Sequence, residues 1–402
     1  MSGVDDAVTA WAASGLAALT GPTDGPPDFS RAPILAAATD LAPDAATLLT
    51  GRAGLLGVRR RGRISAGGAT RLLATLDGWV ALTLSRPDDI AAVPALLEAD
   101  AVDADPWPEV TAWAAGHRAG EIVARAVLLD LPAAALGETT AAPPRIRQCG
   151  RRGTPRAVAG LLVADLTSMW AGPLCARRLA DAGATVVKVE SPRRPDGTRA
   201  GDPRFFDWMN AGKLSCTTDF DTDADRLRAL LTVADVVLEG SRPAALARRG
   251  LGPEDIPGPP GRVWLRITGH GDGSVEGRVA FGEGAARVAF GDDAAVAGGL
   301  VGRAPDGSPV FCGDAIADPL TGLAAAAAVS EALTRGGGEL IEISMAAVAA
   351  EYAAQPSLPQ GYPPNPPVAA DPTAPPPAAA ASALGADNAA VDALVAARST
   401  RC

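Results

Sequence analysis

The chain has 402 residues, 48% hydrophobic but only 4% aromatic, and a formal net charge of −10. That length supports two domains and a sizeable core, while the negative charge argues against nucleic acid as a partner and leaves only local basic patches to meet phosphate groups. No apolar run approaches the roughly 18–20 residues needed to cross a membrane, and MSGVDDAVTAW carries acids where a secretory signal carries Lys or Arg, so the expected compartment is the cytoplasm. The 5 cysteines are scattered without a CxxC, and His117 and His270 are the only histidines, so neither a disulfide framework nor a metal site is expected.

Residues 1–50 read as an Ala/Leu-rich helical segment, punctuated by Gly21-Pro22 and Pro43. Residues 51–140 read as a small α+β module. It opens on a basic stretch with Arg52, Arg59, Arg60, Arg61 and Arg63, which is either a solvated face or a phosphate-contacting patch. The Asp77-Gly78 turn before WVALTL signals a hairpin, and residues 87–98 a helix whose Asp88 and Asp89 suit its N-terminal dipole. Helices follow at 107–117 and 120–129, with His117 in a surface loop. Residues 141–156, rich in Pro, Gly and Arg, read as a linker.

Residues 157–350 carry an α/β pattern. LLVADLTSMWAGPLCARRLADAGATVVKVE, 161–190, predicts strand, turn, helix and strand: an apolar run ending in an acid, Pro173 in the first helical turn, and Gly183 as the stop. Further strands are expected at LSCTTDF, ADVVLEG, RVWLRIT and ELIEISMA, with helices at 222–233, from Pro243 to Arg249, at 292–300 and from Asp318-Pro319 to Thr334. Two copies of Val-Ala-Phe-Gly at 279–282 and 288–291 form a short near-repeat. In 351–402, a Pro/Ala-dominated stretch to 380 predicts an unpacked extended chain, and helical spacing returns at 384–397.

Taken as a set, DLTSMWAGPLCARRLADAGATVVKVESP, NAGKLSC, ADVVLEGSRPAALARRGLG, ITGHG, ADPLTGLAAAAAVSEAL and GELIEISM occur in an order that resembles the family III CoA-transferases, over residues 160–346. The resemblance implies an α/β fold, a Rossmann-like large domain with a smaller α+β lid domain, and a homodimer of interlinked chains. The lid-like sequence, 77–136, here precedes the large domain, so the order looks permuted, or like a fused and trimmed pair of copies. The implied activity moves CoA between an acyl-CoA and a carboxylic acid, with the CoA thioester as substrate and no bound cofactor, metal, nucleic acid or membrane partner. Two alternatives accompany it: an acyl-CoA racemase or epimerase of the same family, and a catalytically degenerate CoA-binding protein.

Read from the residues alone, Asp318 is an N-cap: the position before proline avoids the helical region, and Pro319 suits the first helical position. The resemblance makes it the covalent nucleophile, with Asp314 as fallback. The racemase branch uses a histidine where this chain has RVAFGDD, so Asp292 or Asp293 and the Gly-flanked His270 are the candidates for a base. The implied CoA-binding positions are Trp170, Ala171, Lys188, Asn210, Lys213 and Arg248. Trp170 stands where the transferases often have glutamine, and Ser191 where an arginine can meet a CoA phosphate.

Overall fold

The computed structural model describes residues 2–240, 243–271 and 287–400. The first copy of the near-repeat, 279–282, lies outside them. The chain divides into two compact units: Met1–Ala142 with Gly269–Leu320 and Met345–Pro375, and Pro143–Thr268 with Thr321–Ser344 and Pro376–Cys402.

In the first unit, strands Thr70–Ala74, Trp79–Thr83 and Ala133–Ala135 form an antiparallel sheet. Its hairpin turns at Asp77-Gly78 with Leu73 opposite Val80, so Leu73, Val80 and Leu82 face Val110, Ile122 and Ala126 of helices Trp107–Ala114 and Ala119–Leu128. The helix expected over 87–98 is two short ones, Pro87–Ala91 and Val93–Leu97. Asp89 is spent on Arg86, at 2.6 Å, and on the Ser85 and Arg86 N–H groups. A second hairpin pairs Val301–Arg303 with Pro309–Phe311. Helix Gly291–Ala297 packs on Met345–Ala353 through small residues. A Cβ on Gly298 would come 2.5 Å from the Ala350 nitrogen. The Pro/Ala stretch is not unpacked throughout: a side chain on Gly54 would collide with the Thr373–Ala374 backbone, and one on Gly15 would come within 2.7 Å of Pro372 Cα. The two glycines let an extended segment lie directly on helical backbone.

The second unit is built on seven strands: β1 Arg145–Gln148, β2 Leu162–Leu166, β3 Thr185–Glu190, β4 Leu214–Thr217, β5 Val236–Glu239, β6 Val263–Thr268 and β7 Glu339–Ser344. Their order is β1-β7-β6-β5-β2-β3-β4. All neighbours are parallel except β1, which pairs antiparallel with β7 within the stretch expected to be linker. The central strands are buried along nearly their whole length, the reason their sequences are continuous apolar runs. The strand order reverses between β2 and β5, and in open parallel sheets ligands bind at the carboxyl ends beside such a reversal. The turn after β2 feeds helix Ala171–Asp181 there. Gly172 permits this close entry, because a Cβ would fall inside Thr167.

Helix Asn388–Ser399 closes the β4 edge. Ser215 N–H donates to Asp387 Oδ2 at 2.7 Å and Thr217 N–H to Asn388 Oδ1 at 2.8 Å, covering donors an edge strand leaves open. Val391 joins the core of Leu227, Leu230 and Leu231. Among the described residues, no helix is long and apolar enough to cross a membrane.

Candidate functional site

Asp318 lies in the first turn of helix Ala317–Thr334 and is half-buried. The helix begins one residue before it, and its carboxylate reaches across to another element: Oδ2 accepts the N–H of Gly291 at 3.1 Å. In return, Asp292 Oδ1 accepts the N–H of Ala315 at 3.0 Å. These reciprocal bonds clip 291–292 to 315–318. Gly291 has to be glycine there, since a Cβ would meet Asp318 Oδ2 and the Ala315 carbonyl. Ala315 itself sits in the left-handed region at φ 43°.

Three more groups complete this cluster. Asp314 is fully buried and pairs with Arg52 at 2.6 Å, which removes Arg52 from the exposed basic stretch the sequence suggested. Asp293 is also fully buried; its Oδ1 accepts from Phe290 N–H and from Thr83 Oγ at 3.0 Å each. Burial, then the charge of Asp314, pushes Asp292 up to about 6. Burial pushes Asp293 up to about 7 against the hydrogen bonds from Phe290 and Thr83. His270 is held beside Arg287 and Glu138, and burial followed by the Arg287 charge drives it down to about 3, so it is neutral at physiological pH. Among the described residues no group of three or more His, Cys, Asp or Glu side chains is arranged to hold a metal ion.

The second unit carries the other candidates around the β2 turn. Asp165, the acid at the end of LLVAD, is fully buried and accepts from Lys213 Nζ at 3.0 Å. Lys213 also donates to Asn210 Oδ1 and to the Pro173 carbonyl, both at 3.0 Å, which ties it to the first turn of helix Ala171–Asp181. Lys188 donates to Asp196 at 2.9 Å and to the Thr167 carbonyl at 3.0 Å. Burial alone would raise Asp165, yet Lys213 and Lys188 together hold it below the ordinary carboxylate range. Burial lowers Lys213 to about 8 against the Asp165 charge, with the neighbouring Lys188 charge adding to the fall. Lys188, with Asp196 as a second partner, is raised despite its burial. Asp196 in addition accepts the N–H of Met169, whose φ of 72° is strained for a side-chain-bearing residue. Arg199 forks onto Glu190 and lies over the Phe206 ring at 4.2 Å.

Lys188, Asn210 and Lys213 thus meet, and with Arg199, Phe206 and Ser382 they line a small crevice. Trp170 and Ala171 begin the helix that Lys213 touches, and both are buried; the Trp170 ring meets Phe205 edge-on at 5.4 Å. Arg248 is exposed, just after helix Pro243–Ala247, and lies outside this network. Sequence reasoning passed over Asp165 and Asp196. Asp165 had a visible signal, an acid closing an apolar strand run, whereas Asp196 had none.

The sequence profile of CoA-transferase family III matches residues 158–382, more than half of the chain. The chain belongs to CoA-transferase family III. It is 30% identical over 202 residues to the succinyl-CoA–D-citramalate CoA-transferase of Chloroflexus aurantiacus, covering 48% of this chain and 50% of that protein. It is likewise 30% identical over 213 residues to the succinate–glutarate CoA-transferase of Agrobacterium fabrum, covering 47% and 50%. The chain spans about half the length of these curated relatives. Among solved structures, a CAIB/BAIF family protein from Brucella suis matches with 31% identity, 50% of this chain, 56% of that one and a TM-score of 0.42.

Proposed function

We propose that this family III member moves CoA from an acyl-CoA to a carboxylic acid, with Asp318 as covalent nucleophile. The observation that carries the reading is the placement of Asp318: a half-buried carboxylate in the first turn of an 18-residue helix, with Oδ2 fixed by the Gly291 N–H. The helix dipole and that N–H favour the ionised form.

The Asp318 carboxylate attacks the thioester carbonyl and expels CoA thiolate, giving a mixed anhydride. The thiolate attacks the aspartyl carbon and releases the donor acid, leaving an aspartyl-CoA thioester. The acceptor carboxylate attacks that thioester and frees the thiolate again. The thiolate then takes the acceptor's acyl carbon, so the new acyl-CoA leaves and Asp318 is regenerated. No proton is consumed. The roles assigned to residues 157–350 and 51–140 are those of a Rossmann-like CoA-binding domain and a lid in permuted order. Trp170, Ala171, Asn210 and Arg248 are assigned to CoA, and Lys188 and Lys213, whose charges are internally matched, are assigned to holding the 167–170 turn. The functional unit is a cytoplasmic homodimer with CoA thioester as substrate and no resident cofactor; a monomer in sedimentation at micromolar concentration would contradict the dimer.

Succinyl-CoA, named in the Chloroflexus relative, is the first donor to assay. Mass spectrometry of the protein with succinyl-CoA and hydroxylamine should find a modified Asp318, and Asp318→Asn should abolish both transfer and adduct. Unimpaired transfer by that variant refutes the nucleophile assignment.

A further inference from the structure

We propose that three buried hydroxyl residues of the first unit, Ser65, Thr70 and Thr83, are positioning residues for the nucleophile: through the carboxyls of Asp292 and Asp293 they fix the two stretches of backbone that hold and carry Asp318. The role rests on Asp318 being the nucleophile, and it concerns how that carboxylate is aimed.

Thr70 and Thr83 stand opposite each other in the hairpin register, with their Oγ1 atoms 2.9 Å apart. Thr83 Oγ1 donates to Asp293 Oδ1 at 3.0 Å, so the hydrogen between the two hydroxyls comes from Thr70. The same Asp293 oxygen accepts the Phe290 N–H at 3.0 Å, which sets the course of the backbone leading into Gly291. The next amide along, the Gly291 N–H, donates to Asp318 Oδ2. A second branch leaves Thr70 by its main chain. The Thr70 N–H donates to Ser65 Oγ at 3.1 Å, the Ser65 hydroxyl is hydrogen-bonded to the Asp292 carboxyl, and Asp292 Oδ1 accepts the Ala315 N–H, three residues before Asp318. One strand residue, Thr70, therefore feeds both sides of the clip that joins 291–292 to 315–318.

Ser65, Thr70, Thr83 and Asp293 are all fully buried. Apolar residues of the same shape can hold a hairpin equally well, because a buried hydrogen bond adds little net stability. What the hydroxyls add is direction: each O–H has a single hydrogen, so each link restricts the orientation of the next. The far end of the chain of bonds points to Asp318. A Cβ on Gly291 would meet Asp318 Oδ2, so only a bare amide can approach the carboxylate there. Both bonds to Asp293 end on Oδ1, so they persist whether or not Oδ2 carries the proton that burial favours. Asp318 keeps its other contacts; the hydroxyls govern the one made by Gly291. Attack on a thioester requires a carboxylate oxygen aligned at roughly 3–3.5 Å from the carbon. A carboxylate left free to turn therefore reacts more slowly while substrate still binds.

The test follows how fast Asp318 is acylated. Protein in hydroxylamine is mixed with succinyl-CoA, or whichever acyl-CoA the wild type turns over, and quenched over time, and the Asp318 hydroxamate is followed by mass spectrometry. Thr83→Val keeps the shape and lacks the hydroxyl. It should lower the rate constant about 10–100-fold, leave KM within about twofold and still reach the wild-type modified fraction. Thr83→Ser, which restores the hydroxyl, should stay within about threefold of wild type. Asp293→Ala should fall as Thr83→Val does, and Asp293→Asn, whose amide oxygen accepts both bonds, should follow Thr83→Ser. Thr70→Val, one link further from Asp318, carries the same comparison if Thr83→Val does not fold. In ligand-free protein, hydrogen exchange of the Gly291 amide should quicken about tenfold in Thr83→Val and not in Thr83→Ser. Acylation at the wild-type rate in Thr83→Val overturns the positioning role. So does a loss of modified fraction with no loss of rate, the mark of a hydroxyl that only holds the fold. Quickened Gly291 exchange in Thr83→Val, in a protein whose wild type forms no Asp318 hydroxamate with any acyl-CoA, overturns the nucleophile reading and, with it, the positioning role.

Discussion

Asp293→Asn tests the electrostatics of the first unit without touching substrate chemistry. Asp293 is fully buried, and burial raises it from an ordinary 3.8 to about 7. The folded state therefore binds this proton more tightly than the unfolded chain. Below about pH 3 both states are protonated and the group contributes no penalty. From about pH 4 to 7 the unfolded chain ionises first, so stability falls as pH rises. The shift of roughly 3 units corresponds to about 4 kcal/mol once both states are ionised. Asn removes that slope. It retains the acceptor for Phe290 N–H and Thr83 Oγ, but places an amide where Oδ2 has no partner among the described residues, a pH-independent cost of about 1–3 kcal/mol. The variant is thus expected to be less stable than wild type at pH 4.5 and more stable at pH 8, with the difference changing by about 3 kcal/mol between them. Urea unfolding followed by tryptophan fluorescence at pH 4.5, 6 and 8 measures it. A difference that stays constant over that range would refute the assigned ionisation.

Three other outcomes follow from the second unit. Lys213→Met leaves Asp165 buried with half its compensation gone and should cost about 3–5 kcal/mol in urea unfolding, part of which Asp165→Leu in the same chain should restore. Gly172→Ala puts a methyl into Thr167 and should lower stability by about 1–3 kcal/mol, with the second variant Thr167→Ala relieving it. Asp387→Ala uncovers the Ser215 N–H and should raise amide exchange along Leu214–Thr217 selectively, at a cost of about 1 kcal/mol.

The parts of this fold that were readable in sequence are those set by short-range pattern. LLVAD and TVVKVE announce buried parallel strands because both faces are covered, and Gly183 marks the helix end because its φ is 94°. β1 was missed because RIRQ has one apolar residue in four; it becomes a strand only by pairing with Glu339–Glu342, far down the chain. Met345–Ala353 was hidden for the opposite reason, since an Ala-rich helix directly after an apolar strand shows no change in composition. At the candidate site, the place of Asp318 at the start of a helix was legible from local sequence, as an acid before proline. The Arg52–Asp314 pair was not: it joins residues 262 positions apart, and in sequence Arg52 looks like the first member of a surface stretch. Lys188 and Lys213 were assigned to CoA through the resemblance; their acid partners Asp196 and Asp165 lie 8 and 48 positions away, with nothing local to announce the pairing.

In both clusters burial, and not a lone ion pair, sets which group departs furthest from its ordinary value. In the second unit Lys188 and Lys213 share Asp165, and the member with the poorer share, Lys213, is drawn toward neutrality at about 8. In the first unit burial, then the charge of Asp314, pushes Asp292 up to about 6. Burial disfavours the charged form of each member, and the one whose partners offset that least moves furthest from its ordinary value. Partners separate the two lysines: Lys188, which has Asp196 at 2.9 Å, is raised despite its burial, while Lys213 is lowered. Asp292 differs from Lys213 in keeping partial exposure, whereas Lys213 is sealed among Asp165, Asn210 and Pro173.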